Sequence, residues 1–159
     1  MKEILQLLEA DARLSNTEIA QRLGMSEEDV AVKLQQAEEE KILMGHTAVV
    51  NWENTENPRV FAFINVSASP QHGSGFDRIA EDITQFEEVH SVYLMSGGFD
   101  LQVVVVGDDF REIARFVAEK LAPIPGVRST ATALVLKTYK LEGIPTQDRM
   151  AGLRLAVSP

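Results

Sequence analysis

The chain contains no cysteine. That excludes a disulfide framework, thiolate zinc fingers, iron–sulfur clusters and cysteine nucleophiles. No apolar run approaches the roughly 20 residues of a membrane helix. The opening residues, Met1-Lys2-Glu3, lead into a helical pattern without a signal-peptide core. A cytoplasmic protein with no membrane partner is the expectation. Basic charge is scarce: 15 Lys and Arg stand against 24 Asp and Glu, a formal net charge of -9. An acidic chain binds nucleic acid only through a local basic patch, which counts against a simple nucleic-acid coat. His46, His72 and His90 are isolated, without metal-ligand spacing. Gly73-Ser74-Gly75 precedes a helical pattern but lacks the Lys of a phosphate-binding loop. No cofactor, metal or catalytic residue is therefore assigned. What is present is the balance of a folded protein: 45% apolar and 25% charged residues in 159, enough for one ordinary domain or two small ones.

The pattern changes near residue 51. Before it, apolar residues recur at helical spacing: Ile4, Leu5, Leu7 and Leu8, then Ile19, Ala20 and Leu23, then Val30, Leu34 and Ala37. Ser15 with Glu18 has the spacing of a reciprocal helix cap, and Ser26 with Asp29 repeats the signal. His46 to Val50 reads as a short strand. Residues 1–50 form the first domain and the polar, turn-rich residues 51–58 a linker. Residues 59–144 then predict strand (Val60–Val66), helix (Phe76, Ile79, Ala80, Ile83), strand (Val89–Met95), strand (Leu101–Val106), helix (Phe110, Ile113, Phe116, Val117, Leu121) and a long strand (Ser129–Leu141). That order is the ferredoxin-like βαββαβ arrangement, so the fold class is α+β. Asp108-Asp109 marks a helix cap. Residues 145–159 form a tail in which Leu153, Leu155 and Val157 alternate, either as an edge strand or as loose chain.

Leu101 to Val106 is apolar toward both faces of its sheet, Gln102 excepted. Helices cover only one face in this arrangement, so something else must cover the other. A second copy of the sheet is the economical cover, which predicts a homodimer.

Asn16 to Leu23, Gly24-Met25, then Ser26 onward has helix-turn-helix spacing, in which the second helix enters the major groove of duplex DNA. At this point the chain resembles the Lrp/AsnC family of leucine-responsive, or feast-or-famine, transcription regulators. The resemblance rests on residues 7–20, Gly24-Met25-Ser26, residues 38–43, residues 92–100, Pro125-Gly126-Val127, Thr130-Ala131-Thr132 and Val135-Leu136-Lys137. It implies an N-terminal winged helix-turn-helix and a C-terminal effector and assembly domain, with dimers building tetramers or octamers.

The sequence departs from that family where DNA would be read. The family usually carries basic residues at the positions of Val32, Lys33 and Gln36 and a Thr at that of Asp29; here only Lys33 is basic. Residues 1–50 hold 5 basic and 10 acidic residues. Phosphate contacts supply most non-specific affinity, so this helix is expected to bind weakly. Ser26, Glu27, Glu28 and Lys33 are the expected base readers, since Glu accepts from cytosine and Lys donates to guanine, with Arg22 on the backbone.

Ser96-Gly97-Gly98-Phe99-Asp100 joins two strands. Paired glycines let backbone N–H groups approach an anion and permit positive φ, and an Asp beside them accepts from an ammonium group. A hairpin turn with glycines chosen for geometry alone is the plain alternative. The resemblance implies that Ser96, Gly97, Gly98 and Asp100 hold the main-chain part of a small amino-acid effector, with hydroxyls from Thr130 and Thr132. Tyr93 and Phe99 read as packing residues.

Three functions follow for comparison: an amino-acid-responsive DNA-binding regulator, an amino-acid-binding oligomeric sensor with little DNA affinity, and an enzyme. Sirohaem decarboxylases resemble the same two-part architecture but favour arginines and histidines after the winged helix. Residues 41–47 here hold one His and no Arg, so no enzyme is expected.

Overall fold

The computed structural model describes residues 1–70, 73 and 75–147. His72, Ser74 and the alternating residues Leu153, Leu155 and Val157 lie outside them. The chain divides into two compact units after Val49.

The first unit holds three helices, α1 (Lys2–Ala10), α2 (Asn16–Leu23) and α3 (Glu27–Glu39). Ile4, Leu8, Ile19, Ala20 and Val30 are buried together, with Leu7, Leu14, Leu23, Met25, Leu34 and Leu43 packed round them. The α2 cap is reciprocal: Ser15 Oγ accepts from the Glu18 amide at 3.3 Å, and Glu18 Oε2 accepts from the Ser15 amide at 2.8 Å. Gly24 ends α2 in the left-handed region, φ 65, and the Met25 amide donates to the Ala20 carbonyl. The strand expected over His46–Val50 is absent: no described segment of this unit pairs with it, and a strand needs a ladder partner.

The second unit is a four-stranded antiparallel sheet in the order β2-β3-β1-β4, formed by β1 (Val60–Ala68), β2 (Val89–Leu94), β3 (Leu101–Gly107) and β4 (Val127–Leu134). Helix α4 (Asp77–Thr84) follows β1 and α5 (Phe110–Phe116) follows β3, giving the ferredoxin-like order. One sheet face carries Ala62, Ile64, Val66, Leu101, Val103 and Val105, which pack with Ile79 and Ile83 of α4 and Ile113 and Phe116 of α5. Asp109 caps α5, its Oδ1 accepting from the Arg111 and Glu112 amides at 2.7 and 2.8 Å. Phe110, expected on the packed face of this helix, is exposed at its first turn. Beyond Phe116 the helix widens through Val117–Leu121, where the Ala122 amide reaches back five residues to the Val117 carbonyl.

Two boundaries differ from the sequence pattern. The last strand does not run to Leu141. Its bonds to β1 end near the start of β1, the Val135 amide donating to the Phe61 carbonyl, and no partner strand continues among the described residues. A separate small hairpin follows, β5 (Lys140–Leu141) with β6 (Ile144–Pro145). The linker is also more ordered than its composition suggests. Trp52–Asn54 forms a short 3-10 turn, Glu53 Oε1 accepts from the Thr138 amide at 2.8 Å, and the Arg59 guanidinium stacks 4.0 Å over the Trp52 ring.

Candidate functional site

Two sites were expected, one on each unit. In the first unit α2 and α3 form the helix-turn-helix, and Ser26 is the cap of α3. Its hydroxyl accepts from the Asp29 amide at 3.0 Å and donates to Asp29 Oδ2 at 2.7 Å. Glu27 Oε2 accepts from the Thr17 hydroxyl at 3.0 Å, tying α3 to the start of α2. Both exposed side chains therefore already have partners within the helix-turn-helix unit. Glu28, Lys33 and Arg22 make no ion pair among the described residues. Glu28 and Arg22 are exposed, while Lys33 is half-buried. A further candidate that the charge pattern hid is Val32, 65% exposed one turn after Glu28. An apolar side chain on this face suits a thymine methyl group. Gln35 and Gln36 donate to Glu39 and Glu40, at 2.9 and 2.7 Å.

The second site is the turn between β2 and β3. Gly97 has φ 137, a conformation that favours glycine. Gly98 does not share it, and a side chain there would meet nothing within 4 Å. Of the two glycines, which both permit positive φ, only Gly97 adopts it. No described residue stands where a side chain at position 98 would lie.

Asp100 is not the free carboxylate that the sequence suggested. Its Oδ2 accepts from the Ala68 amide at 2.8 Å, and its own amide donates to the Val66 carbonyl at 3.0 Å. Arg128 Nη2 faces the same oxygen at 3.6 Å. Oδ1 takes no hydrogen bond from any described residue. Ala68 and Arg128 are the residues that spacing could not supply, because the fold brings them from 32 and 28 positions away. Thr130 and Thr132 pair with Val66 and Ile64, so β1 separates them from the turn that precedes β3. The described chain does not bring Thr132 to Asp100. Tyr93, expected to pack, is exposed. Beside the turn, α4 and β2 enclose an open cavity of about 290 Å³ with Phe76, Ala80, Val92 and Leu101 in its walls.

The sheet face away from the helices carries Phe61 opposite Val106 and Phe63 opposite Val104. Phe63 is 41% exposed. Beside them Gln102 Nε2 donates to Asn65 Oδ1 at 3.3 Å, so the polar exception on this strand has its own partner.

A helix-turn-helix unit followed by a ferredoxin-like unit matches two family models in chain order. The AsnC-type helix-turn-helix domain covers residues 2–38, and the Lrp/AsnC ligand binding domain covers residues 61–145. The chain belongs to the Lrp/AsnC family. This Lrp/AsnC protein is 38% identical to an uncharacterized HTH-type transcriptional regulator, YugG of Bacillus subtilis, over 99% of this chain and 95% of that one. Its fold is similar to that of the leucine response regulatory protein LrpA of Mycobacterium tuberculosis, with a TM-score of 0.75 and 24% identity over 91% and 97% of the two chains. It is also similar to a transcriptional regulator of Neisseria meningitidis solved with L-methionine, with a TM-score of 0.66 and 26% identity over 95% of each chain. Among its described residues no helix is long and apolar enough to cross a membrane.

Proposed function

We propose that this Lrp/AsnC protein is a cytoplasmic transcription regulator that binds duplex DNA through α3 and a small amino acid through Ser96, Gly97, Gly98 and Asp100. The observation that carries the ligand reading is the turn itself: Gly97 holds φ 137 and a side chain at Gly98 would stand in open space, so the backbone of this turn is bare for a ligand to approach. In this reading the bare turn leaves room for the ligand, and Asp100 Oδ1 accepts from its ammonium. In place of an enzyme we carry over the class that its relatives' names give, transcription regulation.

The apolar outer sheet face supports a homodimer through Phe61, Phe63, Val104 and Val106. Higher assembly into tetramers or octamers would place several α3 helices on one DNA and raise a weak intrinsic affinity through effective concentration. Light scattering should give a dimer or a multiple of it, and Val104→Asp should dissociate the assembly or unfold it. A wild-type monomer at micromolar concentration overturns this part.

A second reading has a specific observation behind it. Ser26 and Glu27 are spent on caps and interhelix bonds, and the rest of α3 is acidic, which favours a sensor with little DNA affinity. Anisotropy titration against the DNA upstream of its own gene, at two salt concentrations and with and without amino acids, separates the two. Salt-sensitive binding that an amino acid shifts supports regulation. No binding at low salt leaves the sensor.

A further inference from the structure

We propose that Arg128 and Asp100 act together as a receptor for a zwitterion, with Arg128 selecting for ligands that carry a free α-carboxylate. The proposal rests on the reading of Ser96–Asp100 as the ligand turn and deepens it. Arg128 stands on β4, across the end of β1 from the turn, and its guanidinium reaches over to Asp100. The 3.6 Å separation is an ion pair without a hydrogen bond. None of the guanidinium donors is used by a described residue, and the side chain is 61% exposed. Among the described residues, Arg128 therefore offers a planar fork of unused N–H groups beside a carboxylate whose Oδ1 is also unused. A guanidinium fork matches a carboxylate bidentately, whereas a lone carboxylate oxygen matches an ammonium.

The arrangement also sets a charge rule. Asp100 and Arg128 cancel each other, so a ligand with balanced charges leaves the site neutral. An amine without a carboxylate meets uncompensated repulsion from Arg128. A carboxylic acid without an amine meets the same from Asp100. Rejection of near-relatives by a group left unpaired is a stronger filter than shape alone.

Calorimetry with each of the twenty L-amino acids and its α-amide tests this on the full chain. The wild type should bind at least one amino acid and discriminate against its amide by about tenfold or more, the range of a charge-assisted hydrogen bond. Arg128→Gln, at an exposed edge-strand position, should fold normally and lose most of that discrimination. Arg128→Lys should keep part of it, having the charge without the fork. Gly98→Val, in open space, should fold and bind neither acid nor amide. If Arg128→Gln discriminates as the wild type does while Gly98→Val abolishes binding, the role of Arg128 is overturned and the turn stands. If Gly98→Val binds as the wild type does, or no amino acid binds the wild type, the reading of the turn falls and this proposal with it.

Discussion

Asp100 Oδ2 accepts a hydrogen bond from the Ala68 amide at 2.8 Å, and that bond joins the start of β3 to the end of β1. Ala68 is 1% exposed. Among the described residues Asp100 is the acceptor its amide has, and an unpaired buried donor costs about 1–3 kcal/mol. Asp100→Ala should therefore lower stability by that amount in urea denaturation. Asp100→Asn retains an acceptor oxygen and should lose much less. Loss of ligand binding in Asp100→Ala alone would then be ambiguous, whereas loss in Asp100→Asn at near-native stability assigns the carboxylate charge to the ligand. Equal stability of Asp100→Ala and wild type would remove the structural role.

Gly126 should resist substitution for a reason of shape. It has φ 98, and a Cβ there would lie 2.7 Å from Ile79 Cδ1. Ile79 is fully buried among the residues that join α4 to the sheet, so it has little room to retreat. Gly126→Ala should cost about 1–3 kcal/mol through strain and clash together. A denaturation midpoint equal to wild type would show that the loop before β4 relaxes freely.

Acid should loosen the helix-turn-helix unit through Glu18. The Ser15 amide, and then the Ser15 hydroxyl, hold its carboxyl below the ordinary value of 4.5. A depressed folded-state value means the ionised form is the stabilised one. Its contribution is complete above 4.5 and disappears as pH falls through the lower folded value. Asp109, lowered chiefly by the Glu112 amide, acts the same way on α5. Melting curves should change little between about pH 7 and pH 5 from these groups and decline below that. The difference between wild type and Glu18→Gln should narrow in the acid range. A difference that stays constant down to full protonation would rule out the charge as the source.

DNA contacts divide by their salt response. If Lys33 meets a phosphate, Lys33→Ala should weaken binding to every sequence and reduce the slope of log K against log salt by about 0.9. If it reads guanine, the same change should relax preference at one base pair. Glu28→Gln should strengthen non-specific binding by removing a charge that repels phosphate. Unchanged affinity and slope in Lys33→Ala would take that residue out of the interface.

The local pattern of this chain determined its elements. Helical spacing in residues 1–37, the Ser15–Glu18 cap and the alternation after residue 59 are short-range signals, and each acts within a few residues of itself. The two-faced character of β3 was equally legible, because alternation assigns faces without knowledge of neighbours. Tertiary structure decided how far strands extend and which polar atoms remain free. The strand expected over His46–Val50 and the continuation past Leu134 find no ladder partner among the described residues, and no local pattern encodes such a partner. The Ser26–Asp29 cap was legible, but the partners of Glu27 and Asp100 were not: Thr17 for the first, and Ala68 with Arg128 for the second. Residue type shows which hydrogen bonds a side chain is able to make. Only the approach of segments distant along the chain determines which of them are already made.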